Sequence, residues 1–167
     1  MKPQEASALP KERRKPLSLP IEDNRVFTVL VDGERFGMPV SCVQTVFRID
    51  AMTPVPLAHS AIVGLLNLRG RIVTAISLRL RFGMAFSPSD EILAIGIEHR
   101  GEAVALVVDE AGDVISLPED SRIPMPCHMP AARARLTQAV HRLDQGLICI
   151  LDMAAVFDLS QNATLAA

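Results

Sequence analysis

Cys127 and His128 stand side by side, and a thiol beside an imidazole is the pairing from which nucleophilic catalysis is built. Neighbours in the chain are not thereby neighbours in space, and this pair falls in a Pro-rich stretch, so two polar-tolerant loop residues are the commoner reading. The other histidines, His59, His99 and His141, are scattered, and no two have the spacing of a helical metal site such as H-E-x-x-H. Asp109-Glu110 and Glu119-Asp120 are adjacent carboxylates, which point to opposite faces of a strand or into water from a loop, and neither suits a general acid and base pair. No G-x-S-x-G, Walker-type loop or G-x-G-x-x-G occurs. The expectation is no catalytic residue, no metal and no cofactor.

One polar pair remains, inside an apolar run. In Ile62-Val63-Gly64-Leu65-Leu66-Asn67-Leu68-Arg69-Gly70-Arg71-Ile72-Val73, strand alternation puts Leu66 and Leu68 on one face and Asn67 and Arg69 on the other. If the leucines fill a core, Asn67 and Arg69 look outward. Arg suits an interface, because its planar fork makes directed hydrogen bonds while its stem packs on apolar surface.

The elements that must hold this pair read as β-structure. Apolar residues make up 49% of the chain with no Trp or Tyr, so the core is aliphatic and favours strands. Val26 to Val31 and Arg35 to Val40 flank Asp32-Gly33, a hairpin signal. The pattern returns when Ile92 to Ile97 leads through Gly101 into Ala103 to Val108. Aligning Gly33 with Gly101 pairs Phe36 with Val104, Met38 with Leu106 and Val46 with Val114. A second alignment lays Ser77-Leu78 and Phe82 on Asp152-Met153 and Phe157, with Ser77 and Asp152 placed to cap short helices. Leu78 and Phe82 then face inward, Arg79 and Arg81 stay in water, and Gly83 ends the turn. Ser116 to Arg135, rich in Pro, reads as a loop. Two copies of one unit imply two small β-barrels side by side.

Net charge is −2 and aromatics are few, which argues against nucleic acid as a partner. No apolar run reaches the roughly 18 residues of a membrane span, and the basic N-terminus lacks a signal-peptide core. Cys42, Cys127 and Cys149 resemble neither a disulfide framework nor a zinc site and suit a reducing cytosol. Residues 1–22, with four prolines and the cluster Lys11 to Lys15, read as a disordered tail, and residues 161–167 as a flexible C-terminus.

Gly64 to Val73, running on to Ser77-Leu78-Arg79, closely resembles the signature of the CheW family of chemotaxis coupling proteins. The opening hairpin with Asp32-Gly33-Glu34-Arg35, the repeat with Val107-Val108-Asp109-Glu110, the Pro-rich segment and Leu147 to Asp152 follow in family order. The resemblance implies an all-β domain over 23–160 with short helices, made of two SH3-like five-stranded β-barrel subdomains. These are drawn at about 23–86 and 87–160, with room for the chain termini to cross between them. It also implies a cytoplasmic, non-enzymatic adaptor that couples chemoreceptor cytoplasmic tips to the regulatory domain of a CheA-type histidine kinase. On that analogy Arg69, Asn67, Gln44 and Thr45 are receptor-side residues, Gly64 and Gly70 shape the turn, and the kinase-side residues are unassigned. The family frequently carries an acidic residue near Thr45 and Asp where Ser77 stands. That departure leaves open an alternative: a kinase-binding insulating or inhibitory module, of a non-flagellar motility or other chemosensory pathway, without receptor binding.

Overall fold

The computed structural model describes residues 24–87 and 91–162, with side chains to residue 160. The tail 1–22 and residues 163–167 lie outside the described residues.

The first hairpin is β1 (Arg25–Val31) and β2 (Glu34–Pro39), and a 3-10 turn at Val40–Cys42 leads to β3 (Val43–Ile49). β4 (Ile62–Leu68) and β5 (Arg71–Ser77) form a second hairpin, followed by α1 (Leu78–Arg81). The order then repeats with β6 (Ile92–His99), β7 (Glu102–Val108) and β8 (Glu110–Ser116). After the short β9 (Arg122–Ile123) and α2 (Ala131–Arg135) come β10 (Thr137–Leu143), β11 (Gly146–Leu151) and α3 (Met153–Phe157). The Pro-rich segment expected as loop thus contains both β9 and α2; Pro130 stands just before the first helical turn, a place where its fixed φ is tolerated.

Three turns share one design. Asp32-Gly33, Arg69-Gly70 and Arg100-Gly101 all have positive φ at both residues, the type I′ geometry that matches strand twist in two-residue hairpins. Both expected caps form: Ser77 Oγ accepts the Leu80 N–H at 3.4 Å and Asp152 Oδ1 accepts that of Ala155 at 3.2 Å.

The two repeats exchange strands. One sheet runs β8-β1-β2-β11-β10-β9 and the other β3-β6-β7-β5-β4, so each combines the first hairpin of one repeat with later strands of the other. The exchange is reciprocal in register. Val46 pairs with Ile95 as Val114 pairs with Phe27, and parallel Thr74↔Val104 is matched by Cys149↔Phe36. Even the bulges correspond, at Val43/Thr45 against β6 and at Phe27/Val29 against β8. The sheets are therefore two SH3-like lobes of five and six strands, each drawing on both halves of the chain.

Three buried clusters follow from this layout. The largest lies between the lobes and takes Val29, Phe36, Ile95 and Leu106 from the hairpins with Leu78 and Val156 from the helices. The interiors of the lobes are smaller: Leu66, Val73, Ala75 and Ala105 in one, Val26, Ala139, Ile148 and Ile150 in the other. Because β1, β2, β6 and β7 are covered on both faces, they read as nearly continuous apolar runs. Leu78 and Phe82 are buried as expected, and Phe82 stacks on Phe36 with ring centroids 4.7 Å apart.

Two arginines expected in water are not there. Arg81 is 6% exposed, and its Nη2 donates to the carbonyls of Ala155 (2.9 Å) and Asp158 (3.2 Å) at the end of α3. Periodicity within α1 could not show that α3 of the other repeat covers this side. Burial first, and then the nearby charge of Arg135, lowers the affinity of Arg81 for its proton. Arg79 is only partly exposed and forms a clasp. Its Nε and Nη2 donate to the two carboxylate oxygens of Asp109 at 2.8 and 2.7 Å, and Nη2 lies 3.4 Å from Asp32. Asp109 also accepts the Asp32 N–H at 2.7 Å. One carboxylate thus ties the first hairpin turn, α1 and the β7–β8 junction together.

Candidate partner-binding site

The tip of the β4–β5 hairpin is built by its own polar residue. Asn67 is exposed, and its Oδ1 accepts the Gly70 N–H at 2.8 Å, closing the turn from the side-chain end. Leu66 is buried and Leu68 half-buried, so alternation holds to the end of β4. Arg69 departs from it. It occupies the turn at φ +53° and is not on a strand face with Asn67. Among the described residues its guanidinium has no ion pair or hydrogen bond. A long cation is therefore displayed on a rigid two-residue turn, at the modest cost a non-Gly residue pays in the left-handed region.

The two glycines do different things. Gly70, at φ +80° with open space around it, shapes the turn. Gly64, grouped with it as turn-shaping, sits inside β4, where a Cβ would collide with Met52 Cγ and lie 2.8 Å from the Thr53 carbonyl. Its hydrogen removes a clash with the Met52-Thr53 segment, which hydrogen-bonds Leu65 in both directions at 2.8 Å.

Gln44 and Thr45 face opposite sides of β3. Gln44 is exposed and its Nε2 donates to Glu98 at 2.6 Å. Thr45 is half-buried and points to the inner face, its Cγ2 2.7 Å from where a Gly96 Cβ would stand, with Leu68 Cδ2 3.6 Å from the same point. Thr45 and Leu68 thus both lie over Gly96, while Gln44 joins the outer strip of Val46 and Arg48. In the other repeat the close approach is between neighbouring positions, since a Cβ on Gly112, one residue before the position aligned with Thr45, would meet Thr28.

The residues weighed for chemistry do not converge. Cys127 is exposed, Cys42 is buried and Cys149 half-buried, and burial pushes the thiols of Cys42 and Cys149 up, toward the unreactive form. No side-chain hydrogen bond joins Cys127 to His128 among the described residues. A buried Ser–His contact does exist where the sequence reading did not look: Ser121 Oγ lies 2.8 Å from His141 Nδ1. Ser121 also donates to the Pro118 carbonyl at 2.5 Å, so its one proton is committed and His141 Nδ1–H must be the donor. That tautomer cannot deprotonate the serine, and burial, then Arg122, holds the imidazole neutral. No group of three or more potential metal ligands occurs among the described residues, and no described helix is long and apolar enough to cross a membrane.

Two strand-exchanged lobes, a charged clasp between them and a cation displayed on a rigid tip define a surface-recognition module. The chain belongs to the CheW-like domain family, whose match covers residues 25–161. It is similar to the chemotaxis protein CheW of Bacillus subtilis, with 28% identity over 80% of this chain and 86% of that protein. The chemotaxis protein CheW of Treponema pallidum is 22% identical over 92% of this chain and 94% of its own length. Among solved structures, the scaffolding protein TtCheW of Thermoanaerobacter tengcongensis superposes with a TM-score of 0.71 at 26% identity, covering 81% of this chain and 93% of that one.

Proposed function

We propose that this protein is a chemotaxis-type signalling adaptor that acts in the cytoplasm, by binding alone, to couple chemoreceptor tips to the regulatory domain of a CheA-type histidine kinase. The reading rests on family membership across nearly the whole described chain. The observation that carries its receptor side is Arg69, a guanidinium without an ion pair or hydrogen bond among the described residues, on a turn locked by Asn67. Such an Arg has its backbone already placed by the turn and its planar fork ready to meet a carboxylate. Gln44 adds an exposed amide, and the half-buried Thr45 acts through shape, from its place over Gly96. The adaptor needs no cofactor. Strand exchange suits the role, because a lobe cannot move without pulling strands of both repeats.

Titration of the full chain, wild type and Arg69→Ala, against a kinase regulatory domain and a receptor tip fragment tests this. Wild type should bind both, and the substitution should weaken the receptor interaction alone by about tenfold, as expected for an interfacial Arg worth more than about 1 kcal/mol. Kinase binding without receptor binding would replace the adaptor with the insulating module, and Thr45→Glu would then be the variant that gains receptor affinity. Binding to neither would overturn the reading.

A further inference from the structure

The duplication places the same groove on both lobes. On one, Arg71, Ile72, Thr74, Glu102 and Ala103 line it beside the parallel β5–β7 pair, and Ile72 is 69% exposed. Their counterparts beside β11–β2 are Gly146, Leu147, Cys149, Glu34 and Arg35. There the groove, about 430 Å³ against about 490 Å³ beside β5–β7, is walled by Met129, Pro130 and Arg133. Arg133 pairs with Glu34, and its guanidinium carbon lies 5.7 Å from the Phe36 ring centroid. Ala131 and Ala132 do not line the cavity. The wall is therefore an apolar residue, a proline, two spacers and an arginine seated on a glutamate.

The β5–β7 groove has the glutamate, Glu102, at the corresponding place. Among the described residues Glu102 has no ion pair and nothing walls the groove in that way. The chain contains the matching segment once more. Of its 12 prolines, only Pro130 and Pro10 follow an aliphatic or Met residue and precede Arg by three positions: Met129-Pro130-Ala131-Ala132-Arg133 and Leu9-Pro10-Lys11-Glu12-Arg13. Residues 14–23 lie between Arg13 and Asn24. Extended, they span up to about 35 Å, against a radius of gyration of about 14 Å for a domain of this size.

We propose that Leu9 to Arg13 docks in the protein's own β5–β7 groove, with Leu9 and Pro10 on Ile72 and Arg13 on Glu102, as Met129 to Arg133 docks on the other lobe. The tail is then an intramolecular ligand that covers the largest exposed aliphatic side chain of a strand, and any partner using that face must displace it.

The test uses the full chain with Cys127→Ser and a nitroxide on Ser7→Cys, with paramagnetic broadening read at the Ile72 methyl. Broadening should concentrate at Ile72, fall to about half or less in Glu102→Arg, since an exposed ion pair is worth up to about 1 kcal/mol or a factor of about five in occupancy, and recover when Arg13→Glu is added. Broadening spread evenly over the surface, insensitivity to Glu102→Arg, or failure of the double charge reversal would overturn the proposal. So would broadening that grows with protein concentration, since that is a tail from another copy. None of these outcomes depends on a receptor or kinase, so the adaptor reading stands or falls separately.

Discussion

The two sides of the central core are built from equivalent positions and closed by different chemistry. At the first hairpin turn, Asp32 and Asp109 converge on Arg79, and the neighbouring Phe82 is buried against Phe36. At the second, Arg100 takes the place of Asp32, and the contact is between His99 and the half-buried Phe157, with ring centroids 5.0 Å apart. Duplication thus fixes where the sheets meet, while each copy is free to choose a saturated ionic clasp or a softer aromatic one.

The sharpest way to break this comparison is to truncate the paired aromatics. Phe82→Ala should destabilise by about 3 to 5 kcal/mol, as for a buried Phe in a core that relaxes little. Phe157→Ala should cost less than half of that, because the ring is half-buried and meets, at a tilt, a histidine that can follow it. Denaturant midpoints at unchanged slope would measure both. Equal losses would mean that the two sides are equally tight.

The ionic clasp comes next. Asp109→Asn keeps the shape but removes the charge that receives two N–H bonds from Arg79, and should cost about 1 to 2 kcal/mol, a charged hydrogen-bond value discounted for partial exposure. Asp32→Asn should cost much less, since its side chain meets Arg79 only at 3.4 Å and is 62% exposed. A loss at Asp32 as large as at Asp109 would show that the turn, and not the bidentate pair, holds the junction.

Acidity should separate the sides without mutation. Burial opposes ionisation of Asp109, but the Arg79 hydrogen bonds, the Asp32 N–H and the Arg79 charge outweigh it and hold the carboxyl below its ordinary range. Its contribution is present above about pH 4 and is lost as pH falls through the lower, folded-state value. His99 behaves in the other sense. Burial and then Arg100 lower its affinity for a proton, so the unfolded chain protonates first and stability declines as pH drops below about 6.5. His59 and His141 are shifted the same way. Unfolding midpoints should therefore fall between pH 7.5 and 5.5, and His99→Gln should reduce that fall while Asp109→Asn leaves it unchanged. A fall that depends on Asp109 in this range would refute the assignment.

How much of this was legible in the sequence divides along range. The turn at Asp32-Gly33 and the caps Ser77 and Asp152 are signals carried by a few adjacent residues, and they formed as read, while the turn at Arg100-Gly101 was visible through its alignment with the first hairpin. The duplication was visible because both copies keep the same spacing between them. Which lobe each strand joins was not, because β3 pairs with β6 only after the turn at Val40–Cys42 sends it across, and no local pattern records that. Arg79 and Arg81 were misplaced for the same reason: their partners, Asp109 and the end of α3, come from the other repeat. At the tip, alternation was extended one residue too far, and the Arg69-Gly70 dipeptide lacks the Asn or Asp that usually marks a type I′ turn. Gly64 did carry a usable signal, since glycine within a strand points to close backbone approach.

The smallest expected difference lies between the caps. Ser77→Ala and Asp152→Ala each remove one side-chain acceptor from a helix of four or five residues. A cap is worth about 0.5 to 1 kcal/mol in such a setting. Asp152 should be the more costly loss, because its bond is shorter, at 3.2 Å against 3.4 Å, and a carboxylate also favours the positive helix end. The difference carries a consequence for the ionic clasp. Ser77 begins the helix that presents Arg79 to Asp109, so if the clasp helps the cap to hold the first turn of α1, Ser77→Ala should become more costly once Asp109→Asn has released it. A double-mutant cycle reads that coupling directly. A coupling near zero would mean that α1 is held by Leu78 and Phe82 in the core alone, and that the clasp secures only the turn and the strand junction.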